Sequence, residues 1–195
     1  MEAAGYGMRR AYFVMGAEGS GNHMMAEALR SSGCFEDERH GLYMEDYEFE
    51  KMPDLFVFWR SLPHAYRFPD LIEMKAQLEV AGFEVVPILM IRDWYCTMQS
   101  VIRRNYQHDP HLVQSNMRMA LRVSIEAFPD SLTYVSYESF CHHSEFRAWL
   151  FEQRFGLPAP TSGIFYSNPR YYRDEENYID WDCGTTAQAW KRRDD

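Results

Sequence analysis

At 195 residues, with 46% hydrophobic and 16% aromatic side chains, the chain has enough apolar surface for one packed core and too much for a disordered polymer. Its 29 acidic residues against 20 Lys and Arg give a net charge of −9, which repels polyanions, argues against nucleic acid as the main partner, and requires any anion site to be built locally. No apolar run reaches the about 18 residues of a membrane span, and the N-terminal MEAAGYGMRR lacks the apolar centre of a signal peptide, so the expectation is a single domain over 1–195, cytoplasmic and without membrane contact.

The first apolar run, 11–16 (AYFVMG), is brief and unbroken, as a buried parallel strand requires. It leads into Gly16-Ala17-Glu18-Gly19-Ser20-Gly21-Asn22-His23, then a helical pattern through Met24, Met25, Ala28 and Leu29 that closes near Gly33. Segment 35–53 is acidic and aromatic without periodicity, and reads as a loop bordering a substrate site. A second strand is expected at 55–60 (LFVFWR), followed by Arg60-Ser61-Leu62-Pro63-His64. Leu71, Ile72, Met74, Leu78 and Val80 form a helical stripe after Pro69 that stops at Gly82.

The run 85–91 (VVPILMI) predicts a third strand, after which Asp93 caps a helix through Met98, Val101 and Ile102. A helix over 111–127 ends before Pro129, a fourth strand is expected at 132–137, and a helix at about 144–155 is closed by Phe155-Gly156-Leu157-Pro158. From 161 onward the chain is aromatic and polar with little pattern. This alternation predicts an α/β, three-layer P-loop NTPase-like fold: a central parallel sheet of about four to five strands, flanked by helices through right-handed crossovers.

Cys34, Cys96, Cys141 and Cys183 are scattered without a C-x-x-C pair, which fits reduced thiols. His142 and His143 are adjacent, so their side chains diverge; they read as the polar start of a helix, and no metal is expected.

The glycine turn after the first strand is where chemistry is expected. Three glycines let successive amides converge on one oxyanion, and the positive end of the next helix adds attraction. A metal-dependent triphosphate loop, G-x-x-x-x-G-K-[ST], needs a Lys and a hydroxyl where this chain has Asn22 and His23. The turn suits a 5′-phosphate better than ATP with Mg²⁺; a ligand-free strand-to-helix bend is the alternative. Arg92 stands at the carboxyl end of the 85–91 strand, the edge where open α/β sheets bind ligands. Ser100 follows eight residues later, two helical turns on, so both can hold a second phosphate. The other reading of Arg92-Asp93 is a strand-end ion pair; Asp93 itself is read as the helix cap.

Here the sequence resembles the sulfotransferases that use 3′-phosphoadenosine 5′-phosphosulfate (PAPS). In that family an x-S-G-[TS]-[TS] loop after the first strand binds the 5′-phosphosulfate, and an Arg with a Ser eight residues on binds the 3′-phosphate. Gly19-Ser20-Gly21-Asn22-His23 is similar to the first, and Arg92 with Ser100 matches the second in spacing. Tyr137-Glu138 and Phe155-Gly156-Leu157-Pro158 are similar to its Y-E-x-[LF] and F-L-G-L segments, so the resemblance runs in order from about residue 12 to 158. It implies PAPS as donor, PAP as product, no metal, and a small-molecule or glycan acceptor.

Sulfonate transfer needs a base for the acceptor proton and groups that offset charge on the bridging oxygen. The stretch Arg60 to His64 resembles the family segment that carries its catalytic His, with the His displaced to beyond the Pro. The resemblance implies that Arg60 contacts the sulfonate and His64 deprotonates the acceptor; His40, His23 and Glu18 are alternative bases. Where many members carry Lys or Arg in the loop, this chain has Gly19. Trp94 is expected near the nucleotide and Trp59, Trp149 and Trp181 in packing, while Lys191-Arg192-Arg193 reads either as the family's basic C-terminal segment or as a solvated tail. A small-molecule kinase and a non-catalytic nucleotide-binding module are the competing functions.

Overall fold

The computed structural model describes residues 9–36, 48–64, 67–162 and 164–172. Five strands within them form one parallel sheet: β1 (Arg10–Ala17), β2 (Phe35–Glu36), β3 (Leu55–Leu62), β4 (Glu84–Ile91) and β5 (Thr133–Ser136), in spatial order β2-β3-β1-β4-β5. Side chains alternate across β1, and each face has its own core. Ala11, Phe13 and Met15 join Phe56, Phe58, Leu71, Met74, Leu78 and Phe128 on one side. Tyr12 and Val14 join Met25, Leu29, Ile88, Phe151 and Phe155 on the other. Burying each such side chain is worth about 1.5–3 kcal/mol, so a two-faced central strand holds three layers together.

Helices α1 (Asn22–Ser31), α5 (Tyr137–His142) and α6 (Ser144–Trp149, continuing as a π-helical stretch over Leu150–Phe155) supply one outer layer, and α2 (Leu71–Val80) and α4 (Pro110–Ala127) the other. α3 (Trp94–Arg103) packs on α4 through Met98, Val101 and Val113, and α7 (Pro169–Tyr172) ends the described chain. The Asp70 side chain caps α2 by accepting from Ile72 N and Glu73 N. Asp93 caps α3 by accepting from Cys96 N. Gly82 (φ 85°) and Gly156 (φ 69°) take the left-handed conformation beyond their helices.

Four differences from the sequence reading have physical causes. β2 lies where a loop was expected; two residues carry no periodicity, and only pairing of Phe35 with Phe56 makes it a strand. β3 runs to Leu62 instead of ending at Arg60, because its partner β1 continues to Ala17. β5 stops at Ser136, whose side chain caps α5, so Tyr137 opens a helix instead of closing a strand. Of the His pair read as the start of a helix, His143 is the N-cap of α6 as expected, whereas His142 closes α5, because two helices meet there. Cys34, Cys96 and Cys141 are free thiols, and burial pushes Cys34 up to about 12. No helix of the described residues is long and apolar enough to cross a membrane. Cys183, Trp181, His40 and Lys191-Arg192-Arg193 lie outside the described residues.

β1 sits where the chain order reverses, with β3 on one side (Ala17 opposite Leu62) and β4 on the other (Gly16 opposite Met90). The carboxyl tips of these three strands therefore share one edge, the position at which open α/β sheets take ligands.

Candidate nucleotide site at the carboxyl edge of the sheet

The turn after β1 is shaped by what packs on it. Gly19 and Gly21 hold φ values of 81° and 103°, where a side chain is strained. A Cβ at Gly19 would meet Ser100 Cβ and the Thr97 carbonyl at 3.0 Å, and one at Gly21 would meet the Tyr137 ring at 2.7 Å. A side chain at Gly19, such as the cation of the resembled family, is therefore strained by the positive φ and fits only if α3 gives way by a few tenths of an ångström.

Ser20 and Asn22 are buried and brace the bend from within. Asn22 Nδ2 donates to the Gly16 carbonyl at 3.1 Å, and Ser20 Oγ donates to Asn22 Oδ1 at 3.0 Å. What the turn offers outward is main chain: α1 has no side-chain cap, and no described residue accepts from the amides of Gly19, Gly21 or His23. Unpaired amides at a helix N-terminus attract anions. His23 is exposed on the outer face, 3.5 Å from Glu27 Oε1 and edge-on to Trp59 at 5.9 Å.

Arg92 is 7% exposed and reaches back to this turn. Its Nη1 donates to the Gly19 carbonyl at 2.8 Å, Nη2 to Ser167 Oγ at 2.9 Å and Nε to Asn168 Oδ1 at 2.7 Å. The guanidinium lies 4.4 Å from the Tyr137 ring centre and 5.1 Å from that of Tyr171, cation–π contacts that strengthen with burial. Glu138 holds the far side: Oε1 accepts from Asp93 N at 2.9 Å and from Asn168 Nδ2 at 2.8 Å. Tyr137 donates to the Phe165 carbonyl at 2.9 Å, and burial raises its pKa.

Ser100 is 1% exposed, faces Gly19, and its Oγ makes no hydrogen bond of ordinary geometry, although the Tyr171 hydroxyl is its neighbour. Tyr171 is ringed by three guanidiniums, those of Arg92 and Arg103 at 5.1 Å and Arg170 at 4.6 Å. Burial pushes the Tyr171 hydroxyl up, but Ser100, Arg170 and Arg92 outweigh it and the net pKa falls below the usual tyrosine value. An acidic chain has thus gathered positive charge at one point.

Across β1, the tip of β3 is different. Arg60 was expected at the strand end; it lies two residues inside, opposite Met15 and 3% exposed. Its guanidinium stacks on Phe58 at 4.3 Å and donates to its neighbour's carbonyl, Trp59 O, at 2.8 Å. His64 stands beyond the tip in a bridge with Arg67, its N donating to the Arg67 carbonyl at 2.7 Å. His64 and Glu18 line a cavity of about 410 Å³ between the β3 tip, α3 and α4, and Arg60 is not among its walls. A second cavity, of about 300 Å³, is lined by Ser20, Arg92, Trp94 and Arg118. The two share Ala17 and Met117.

No family model and no curated protein matches the chain. Of the residues expected to bind a nucleotide, the fold brings together Gly19, Gly21, Ser100 and Arg92, turns Ser20 and Asn22 inward, and leaves His23 outside. Sequence reasoning missed Ser167, Asn168 and Tyr171. Their one signal is the turn-forming Ser167-Asn168-Pro169, which says that the chain bends and nothing about where it docks.

Proposed function

We propose that this chain is a sulfotransferase that moves a sulfonate group from PAPS to a hydroxyl or amine. The observation that carries the reading is the meeting of the two motifs: Arg92 Nη1 lies 2.8 Å from the Gly19 carbonyl, with the buried Ser100 against the same glycine. Amides of the turn and of the first turn of α1 hold the 5′-phosphosulfate, with hydrogen bonds to main chain in place of a loop cation. Ser100 and Arg92 hold the 3′-phosphate, supported by Arg103 and Arg170 around Tyr171.

His64 takes the acceptor proton as the acceptor oxygen bonds to sulfur. The bond from sulfur to the bridging phosphate oxygen breaks, and its electron pair leaves with PAP. Arg60, held within β3, gives up the sulfonate contact expected of it to the turn amides. No group of three or more His, Cys, Asp or Glu side chains that could hold a metal occurs among the described residues. A kinase reading is weakened because Asn22, at the position of the phosphate-binding Lys, turns inward to the Gly16 carbonyl.

One observation favours a second reading, a module that binds nucleotide without turnover. Ser167 and Asn168 already occupy two edges of the Arg92 guanidinium, so a 3′-phosphate has to displace them or share the arginine with them. Calorimetry with 3′-phosphoadenosine 5′-phosphate and with ATP-Mg²⁺ tests nucleotide choice: the bisphosphate binds and ATP does not. Tight ATP binding with none of the bisphosphate overturns the proposal. Release of PAP from PAPS in the presence of an acceptor separates the enzyme from the module.

A further inference from the structure

Four residues of α4, Gln114, Met117, Arg118 and Leu121, follow one another at steps of three, one and three, so they share one face of the helix. That face, the end of β4 and the start of α3 enclose the cavity of about 300 Å³. We infer that this cavity binds a small monocarboxylate with an apolar body, its carboxylate held by Arg118 and Gln114. The site stands apart from the sulfotransferase reading: it uses neither the turn amides nor His64, and its ligand is neither donor nor acceptor.

The apolar body follows from the walls. Leu89, Ile91, Trp94, Met117 and Leu121 line the cavity. Its two hydroxyls are engaged within the protein, Ser20 Oγ donating to Asn22 Oδ1 at 3.0 Å and Thr97 Oγ1 to the Asp93 carbonyl at 2.9 Å. Polar groups spread along a ligand's body lose their water there with few donors to replace it. Ile91 is 44% and Leu121 41% exposed, so apolar surface is left for a ligand to cover.

The charge follows from Arg118. No acidic residue lines the cavity, and Arg92, the other arginine there, already donates to Gly19, Ser167 and Asn168. Neither Arg118 nor Gln114 makes a side-chain hydrogen bond or ion pair among the described residues, whereas Arg122, one turn on, is paired with Glu126 at 2.8 Å. In a chain of 29 acidic residues against 20 Lys and Arg, an unpaired guanidinium beside apolar walls is a charge without its counterion. Its stem can lie along the walls while its head stays in water at the mouth. The planar fork takes both oxygens of one carboxylate, and the Gln114 amide, one turn before it, adds a donor. One cation balances one negative charge; a dianion would carry a second, unbalanced charge against the chain's −9.

The test uses the whole chain and naphthalene-2-carboxylate, with naphthalene-2-methanol and 2-naphthylmethylammonium as comparisons of equal body, read by calorimetry without nucleotide. The carboxylate is expected to saturate with a Kd at or below about 1 mM. The alcohol and the ammonium are expected to bind about fivefold more weakly or less, although the chain's overall charge favours the cation. Arg118→Gln removes a side chain without a partner among the described residues, so the melting temperature is kept; it is expected to weaken the carboxylate about fivefold and leave the alcohol unchanged. Arg104→Gln, beside Glu18 at the other cavity, is expected to change neither. Absence of saturable carboxylate binding, equal affinity for the alcohol or the ammonium, or full carboxylate affinity in Arg118→Gln overturns the inference. So does a loss in Arg104→Gln that Arg118→Gln does not share, which would put the acid in the cavity beside His64.

Discussion

The tips of β3 and β4 flank the same central strand, yet one ends beside open space and the other is filled by its own chain. Beyond β3, Leu62, Pro63 and His64 border the larger cavity. Beyond β4, Arg92 is packed between Tyr137 and Tyr171 and bonded to Ser167 and Asn168. The two arginines make the contrast sharper. Arg60 is buried inside a strand, with a carbonyl and a ring one and two residues away among its partners, whereas the partners of Arg92, just past a strand end, lie 45 or more residues away. A buried guanidinium needs acceptors wherever it sits; Arg92, at a strand tip, draws distant segments to itself and so organises the site.

If the open tip is the reactive one, His64→Ala has the largest effect. Turnover of PAPS with a hydroxyl acceptor is expected to fall by about 10²–10⁴ while bisphosphate affinity is kept. Near-normal initial rates would shift the base to Glu18, which lines the same cavity. At the filled tip, Arg92→Ala is expected to weaken bisphosphate binding by about 1.5–3 kcal/mol, and to lower stability by a similar amount because Asn168, Ser167 and Gly19 lose a charged donor. Calorimetry and urea unfolding read the two losses. Arg60→Met keeps the buried stem and is expected to leave bisphosphate affinity unchanged; an equal loss for both arginines would erase the contrast.

The turn between the tips gives a smaller effect. Gly19→Lys, which restores the cation of the resembled family, drives a side chain into Ser100 and Thr97. Overpacking of that kind costs about 1–3 kcal/mol, and turnover is expected not to rise. A gain in turnover at unchanged stability would mean that α3 can withdraw from the turn. The smallest effect is expected of Ser167→Ala, which removes one of the bonds a 3′-phosphate has to replace. Bisphosphate affinity should improve by about 0.5–1.5 kcal/mol, and weaker binding would mean that Ser167 is part of the ligand site instead of a competitor for Arg92.

The fold was largely legible in the sequence because its signals are local. Apolar runs marked four of the five described strands, and Asp70, Asp93 and the glycines past the helices carry their own capping chemistry. Half of the site was legible for the same reason: a strand, a glycine turn and a helix follow one another, and Arg92 to Ser100 spans two turns of α3. The side chains of the turn were misread. Nothing in Gly19-Ser20-Gly21-Asn22 says that Ser20 and Asn22 face inward, since that depends on the carbonyls of Gly16 and Ala17 lying within reach of Asn22. Arg60 was placed at a tip because the apolar run stops there, whereas the strand continues through a serine. Trp149, read as packing, is 54% exposed and stacks along its own helix on Phe146.

By itself the amino-acid sequence determined the alternation of strands and helices, the bend after β1 and the position of Arg92 at a strand end, since each follows from periodicity and backbone chemistry over a few neighbouring residues. Tertiary structure alone decided how far β3 runs, which arginine reaches the bend, and that residues 164–172 return to cover it. These depend on pairing and packing between segments far apart in the chain, where burial must satisfy every polar group at once, and no local pattern records which distant partner will do so.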